Sequence, residues 1–191
     1  MKRYLGPVAA LLLANLFPVA KAATNQSADD QIAEAVQPLP EDLRAGATVV
    51  TYDAATGERH VLRQGTNTIE CEPRNPDDGF IRCYSNTRTP RREMEAKLKA
   101  QKKSNEEIRD AVHAAIKDGT LKVPPFGTMS YRLATKDGPI KRLWVMSVPY
   151  ATPESVGVST TSQRDAALKG HGLPWLMLAG TPDAHVMIPI N

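Results

Sequence analysis

The chain has 191 residues, 41% of them hydrophobic, with 24 Lys and Arg against 21 Asp and Glu. Three of those bases, Lys2, Arg3 and Lys21, lie in a 22-residue leader that carries no acid, so the rest of the chain balances at 21 to 21. A neutral body lacks the basic surface that nucleic-acid binding needs, and no nucleic-acid partner is expected.

Residues 1–22 read as an export signal. Lys2 and Arg3 precede an apolar run from Leu5 to Phe17, and Ala20-Lys21-Ala22 offers small residues for cleavage after Ala22. The run is shorter than the ~20 residues a spanning helix needs, and no later stretch is longer. The expected location is periplasmic or secreted, with no transmembrane anchor in the mature chain. Cys71 and Cys83 are then expected to form a disulfide, which stabilises the fold by roughly 3 kcal/mol.

Residues 23–46 predict a short N-terminal helix and linker. Ser27 caps it, Asp29 and Asp30 favour its first turn, and Pro38 and Pro40 stop it. Ile32 and Val36 give it only a thin apolar edge, so weak packing is expected. A single domain is expected over 47–191. Its first unit is a hairpin in which "ATVVTYD" and "ERHVLRQ" flank "AATG", with Val50 facing Val61 and Val49 facing Leu62. The arms "TIECE" and "FIRCY" then bring the cysteines together around the turn-rich "PRNPDDG".

Two helices follow. One is capped by Thr89, has Pro90 at its first position and runs to about Lys103. Its apolar stripe is Met94 and Leu98, and Glu93–Lys97 and Glu95–Lys99 are favourable pairs. Ser104 and Glu107 form a capping box for the second, whose Ile108, Ala111, Val112, Ala115 and Ile116 share one face. Its His113 lies on the polar face, and Gly119 ends it. In the next hairpin the Asp137-Gly138 turn sets Tyr131 opposite Trp144, Met129 opposite Met146 and Leu133 opposite Arg142. Leu143 and Val145 make the second strand apolar on its other face, which predicts a central strand. A long polar loop leads to the closing segment.

Candidate chemistry is sparse. The bases Arg88, Arg91, Arg92, Lys97, Lys99, Lys102 and Lys103 are interleaved with acids and read as a solvated helix face rather than a polyanion site. No G-x-S-x-G, Ser-x-x-Lys, H-E-x-x-H, P-loop or G-x-G-x-x-G occurs. In "AHVMIPIN", Val186, Ile188 and Ile190 share one strand face and His185 and Met187 the other. If residues 179–183 form a loop, Trp175 and Met177 lie opposite Met187 and His185. His185, Met187 and Met177 would then be a donor set for a soft ion such as Cu(I). Core packing by Met and Trp explains the pattern more simply, so no metal or other cofactor is expected. Pro174 is able to keep "WLMLA" out of the sheet.

"LRQGTN" (Leu62 to Asn67), Cys71, Cys83 and "HVMI" (His185 to Ile188) together resemble a group of exported bacterial proteins of unknown function. The resemblance implies a shared envelope fold and supplies no activity to carry over. The expected architecture is one α+β domain: an antiparallel sheet of about five or six strands, two helices and one disulfide. The expected function is a non-catalytic envelope protein that binds a small ligand or a protein partner. The alternatives are an envelope hydrolase with a loop-built site and, third, a copper-binding protein. A cleft holding a buried His beside a carboxylate or Ser would favour the hydrolase.

Overall fold

The computed structural model describes residues 26–135, 141–161 and 173–190. The segment expected to be an export signal, the Asp137-Gly138 turn and much of the polar loop lie outside the described residues. Eight strands form one sheet: β1 Thr48–Tyr52, β2 Arg59–Arg63, β3 Ile69–Glu72, β4 Phe80–Ser85, β5 Met129–Ala134, β6 Arg142–Ser147, β7 Trp175–Met177 and β8 His185–Ile190. Their order is β2-β1-β3-β4-β5-β6-β8-β7.

The α+β class and the Cys71–Cys83 disulfide are as expected. The sheet exceeds the expected five or six strands because segments as short as β7, three residues, still join it. Nor is it wholly antiparallel, since β1 and β3 run parallel with Val49 opposite Cys71. "QGTN" makes that connection. Gly65 crosses so close to the start of β1 that a Cβ there would sit 2.3 Å from the Gly46 carbonyl oxygen. The Thr66 and Asn67 amides both donate to that same oxygen.

Val50 faces Val61 as expected, but Val49 faces Arg63 rather than Leu62. A bulge inserts Leu62, and Arg63 turns back to donate to the Ala47 and Arg44 carbonyls. Met129–Met146, Tyr131–Trp144 and Leu133–Arg142 all pair as expected. The Tyr131 and Trp144 rings meet edge-on, 5.8 Å apart.

One sheet face carries Val49, Cys71, Cys83, Tyr131, Trp144 and Ile188 in a single cross-strand row. Helices α1 (Ala28–Ala35) and α2 (Glu41–Arg44) cover its first end. Ser27 caps α1 as expected. The weak packing expected there is corrected: Ala35, Val36 and Leu39 are all buried against Val49 and the disulfide. At the other end Val186 and Leu176 pack with Val148 and Ala151, next to the short helix α5 (Pro153–Val156). Pro174 does not exclude its segment. It stands just before β7, which forms the sheet edge. Pro189 lies past the end of β7, where β8 has a neighbour on one side only among the described residues.

The opposite face lies beneath α3 (Thr89–Ala100), and α4 (Asn105–Lys117) packs against that helix. The Ser104–Glu107 capping box is present, and Ile108, Val112 and Ala115 are buried. Gly119, at φ +83°, follows the end of α4. Helix α3 starts differently from expectation. A 3₁₀ turn (Asn86–Arg88), capped by Ser85, precedes it, and the Thr89 hydroxyl is buried with no partner among the described residues. No residue of α3 is fully buried, and Met94 packs on the α4 cluster of Val112, Ala115 and Leu121.

Candidate functional site beneath helix α3

The sheet face under α3 is polar across three strands. β3 contributes Glu70 and Glu72, β4 contributes Arg82 and Tyr84, and β5 contributes Ser130 and Arg132, in cross-strand register. A helix with two apolar positions has little else to offer such a face, so α3 meets it with charge. Arg92 grips Glu72 with the Nε and Nη2 donors of one guanidinium edge, at 2.9 and 2.6 Å, and donates through Nη1 to Glu95 at 2.6 Å. Its guanidinium also lies over the Tyr84 ring, 5.5 Å from the centroid. The Tyr84 hydroxyl donates to Glu72 at 2.6 Å, and burial together with that carboxylate pushes its pKa up. Arg91 donates to Glu95 at 2.7 Å and, through its other edge, to Asp183. Asp183 also accepts from His113 Nε2 at 2.8 Å.

The solvated-face reading is therefore half corrected. Lys97, Lys99, Lys102 and Lys103 are exposed, whereas Arg88, Arg91 and Arg92 turn toward the sheet. Glu95, expected to pair with Lys99, instead binds Arg91 and Arg92. His113, expected on the polar face of α4, reaches Asp183 from there.

The pairing is incomplete. Arg82 is held by Asp78, and Arg91 and Arg92 share Glu72, Glu95 and Asp183. Arg88 and Arg132, both partly buried, have no ion pair or side-chain hydrogen bond among the described residues. Burial, and then the neighbouring Arg82 and Arg88, bring Arg132 down to about 10. Burial and Arg91 lower Arg88 likewise. The Ser130 hydroxyl, in a residue 6% exposed, is also without a partner among the described residues.

Two cavities open on these groups. One, of about 210 Å³, is walled by Tyr84, Arg88, Arg92, Ser130 and Arg132. The other, of about 200 Å³, is walled by Arg88, Arg132, Ser147, Asp183 and His185. Arg88, Arg91 and Arg132 belong to both walls. In the second, His185 stands directly across from Ser147. Its Nδ1–H donates to the Asp183 carbonyl at 2.8 Å, which leaves Nε2 as the acceptor. Burial, with Arg132 and Arg88 nearby, keeps the ring below its usual pKa and hence neutral at pH 7.

The soft-ion candidates fall as the register expected: Met177 opposite His185, and Trp175 opposite Met187. Met187 is buried among Leu143, Val145 and Trp175, Met177 is 39% exposed, and His185 is turned to the Asp183 carbonyl. Among the described residues no three His, Cys, Asp or Glu side chains converge on a common metal position.

Sequence reasoning missed Arg82, Ser130, Arg132, Glu72 and Asp183. A signal was present for two strand residues: Arg82 and Arg132 stand mid-strand in segments read as strands, where a buried unpaired charge is costly. Asp183 carried none, since its partners are remote in sequence. Comparison with protein-family models, with curated proteins and with solved structures gives no match.

Proposed function

We propose that this is an exported envelope protein that binds a small ligand in the cleft between α3 and the sheet. The observation that carries the reading is the buried, polar and incompletely paired layer there, with cavities opening on its unpaired donors. Burying polar groups without partners costs stability, and such groups collect where a ligand completes them. Export is supported by the leader and by the disulfide, which suits an oxidising compartment. Two-dimensional amide NMR of the purified protein against a panel of sugars, carboxylates, phosphates and peptides tests the reading. A ligand that shifts Arg88, Ser130, Arg132 and His185 together supports it. Shifts confined to another surface, or none from any member, would overturn it.

One observation favours a hydrolase as a second reading: Ser147 and a neutral His185 face each other in the cleft, with Nε2 free to accept a proton. No Ser147–His185 hydrogen bond is formed among the described residues, and the Asp183 carboxylate is occupied by Arg91 and His113. Turnover of small nitrophenyl esters that vanishes in Ser147→Ala would promote this reading over simple binding.

A further inference from the structure

We propose that the ligand of the cleft carries a phosphoryl group, held between the guanidiniums of Arg88 and Arg132 with the Ser130 hydroxyl as an additional donor. The inference rests on the reading of this cleft as a ligand site and names the chemistry it selects. The first ground is charge. Arg82, Arg91 and Arg92 have carboxylates in contact, and Arg88 and Arg132 have none among the described residues. A dianion neutralises both cations at once, whereas a monocarboxylate leaves one uncompensated. A phosphoryl group bears about −1.5 to −2 at pH 7 and presents three acceptor oxygens.

The second ground is geometry. A guanidinium offers its N–H donors in a planar fork that matches phosphate oxygens two at a time. Arg132 comes from the sheet and Arg88 from the 3₁₀ turn that leads into α3, so the two approach the shared wall of the cavities from different elements. The third ground is Ser130: a buried hydroxyl with no partner among the described residues, in the wall of the same cavity. The carboxylates in those walls are already committed. Glu95 faces Arg91 and Arg92, and Asp183 faces Arg91 and His113, so neither leaves a bare negative charge toward an entering anion. The same chemistry is found in free phosphate, in soluble phosphomonoesters and in lipid headgroups.

Calorimetric titration of the purified protein with inorganic phosphate, glycerol 3-phosphate and acetate, and sedimentation with phosphatidic-acid vesicles, separate these sources. Expected is one-to-one binding of a phosphate or phosphomonoester. Its affinity should fall at least tenfold in Arg132→Met and in Arg88→Met, by less in Arg132→Lys, which keeps the charge but not the fork, and severalfold in Ser130→Ala. Binding only to the vesicles, lost in the same variants, supports the headgroup source. Acetate bound as tightly as phosphate would overturn the phosphoryl assignment and leave the cleft reading intact. So would a neutral ligand that shifts the cleft residues while phosphate does not. Absence of any ligand from the cleft in the NMR panel would overturn both.

Discussion

Asp183 ties three elements together: it stands just before β8 and binds Arg91 of α3 and His113 of α4. Burial alone would raise its carboxyl; Arg91 and His113 outweigh that and hold it below the usual range. The stability from this shift is complete above the unfolded-state carboxylate value of about 4 and is lost as pH falls from there toward the lower folded value. Asp183→Asn should cost about 1–3 kcal/mol at neutral pH, because it strips Arg91 of one of its two carboxylate partners and His113 of its charged acceptor. It should also flatten the loss of stability below pH 4. Urea denaturation at several pH values checks both, and an unchanged acid slope would refute the assignment. His185 acts in the opposite range. Its folded pKa is lowered, chiefly by burial, so the unfolded chain takes up a proton first and stability declines as pH drops through about 6.5. His185→Gln should remove that decline between pH 7 and 5. Neither role was legible in the sequence. A face assignment places His113 on the polar side of α4, but only the fold brings Asp183 to that side.

Helices α3 and α4 show what hydrophobic periodicity can and cannot tell. In α4 the capping box, five apolar positions and Gly119 agree, and the helix forms as read. In α3 two apolar positions left its polar side assigned to solvent, yet Arg91, Arg92 and Glu95 dock on the sheet. Binary patterning equates polar with exposed, and that fails where two polar faces complement each other in charge. The alternation of β3, β4 and β5 did contain the second face, but nothing local says which helix covers it. The β1–β2 loop is fitted to α3 from the other side. Gly57 adopts φ +73°, and a Cβ there would lie 2.5 Å from the Lys97 backbone. Gly57→Ala should therefore cost about 1–3 kcal/mol, by strain at positive φ and by pushing the loop off the helix. Hydrogen exchange should quicken at α3 amides; exchange quickened only within the loop would show that the helix does not depend on it.

One eight-stranded sheet carries the molecule, pinned near its first end by the disulfide and by the Gly65–Gly46 crossing. The Cys71→Ala, Cys83→Ala double variant should lose roughly 3 kcal/mol, read from urea midpoints. A loss under about 1 kcal/mol would show that α1, α2 and the buried Val49 row hold that end without it. The cysteine pairing and the β5–β6 register were legible because each rests on a strong local signal. The parallel β1–β3 pair was not, because it depends on a close backbone approach between Gly65 and Gly46.

The central claim is that Arg88 and Arg132 are held in the layer under α3 for a ligand, at the expense of the fold. It is tested most directly by the thermal stability, without ligand, of the Arg88→Met, Arg132→Met double variant. Each unpaired, partly buried cation should cost on the order of 1–2 kcal/mol. At about 2–4 °C per kcal/mol for a chain of this size, the variant should melt roughly 4–16 °C higher than the wild type while no longer responding to phosphate. A variant that melts several degrees lower, or that loses its cooperative transition, would contradict the account and make both arginines structural.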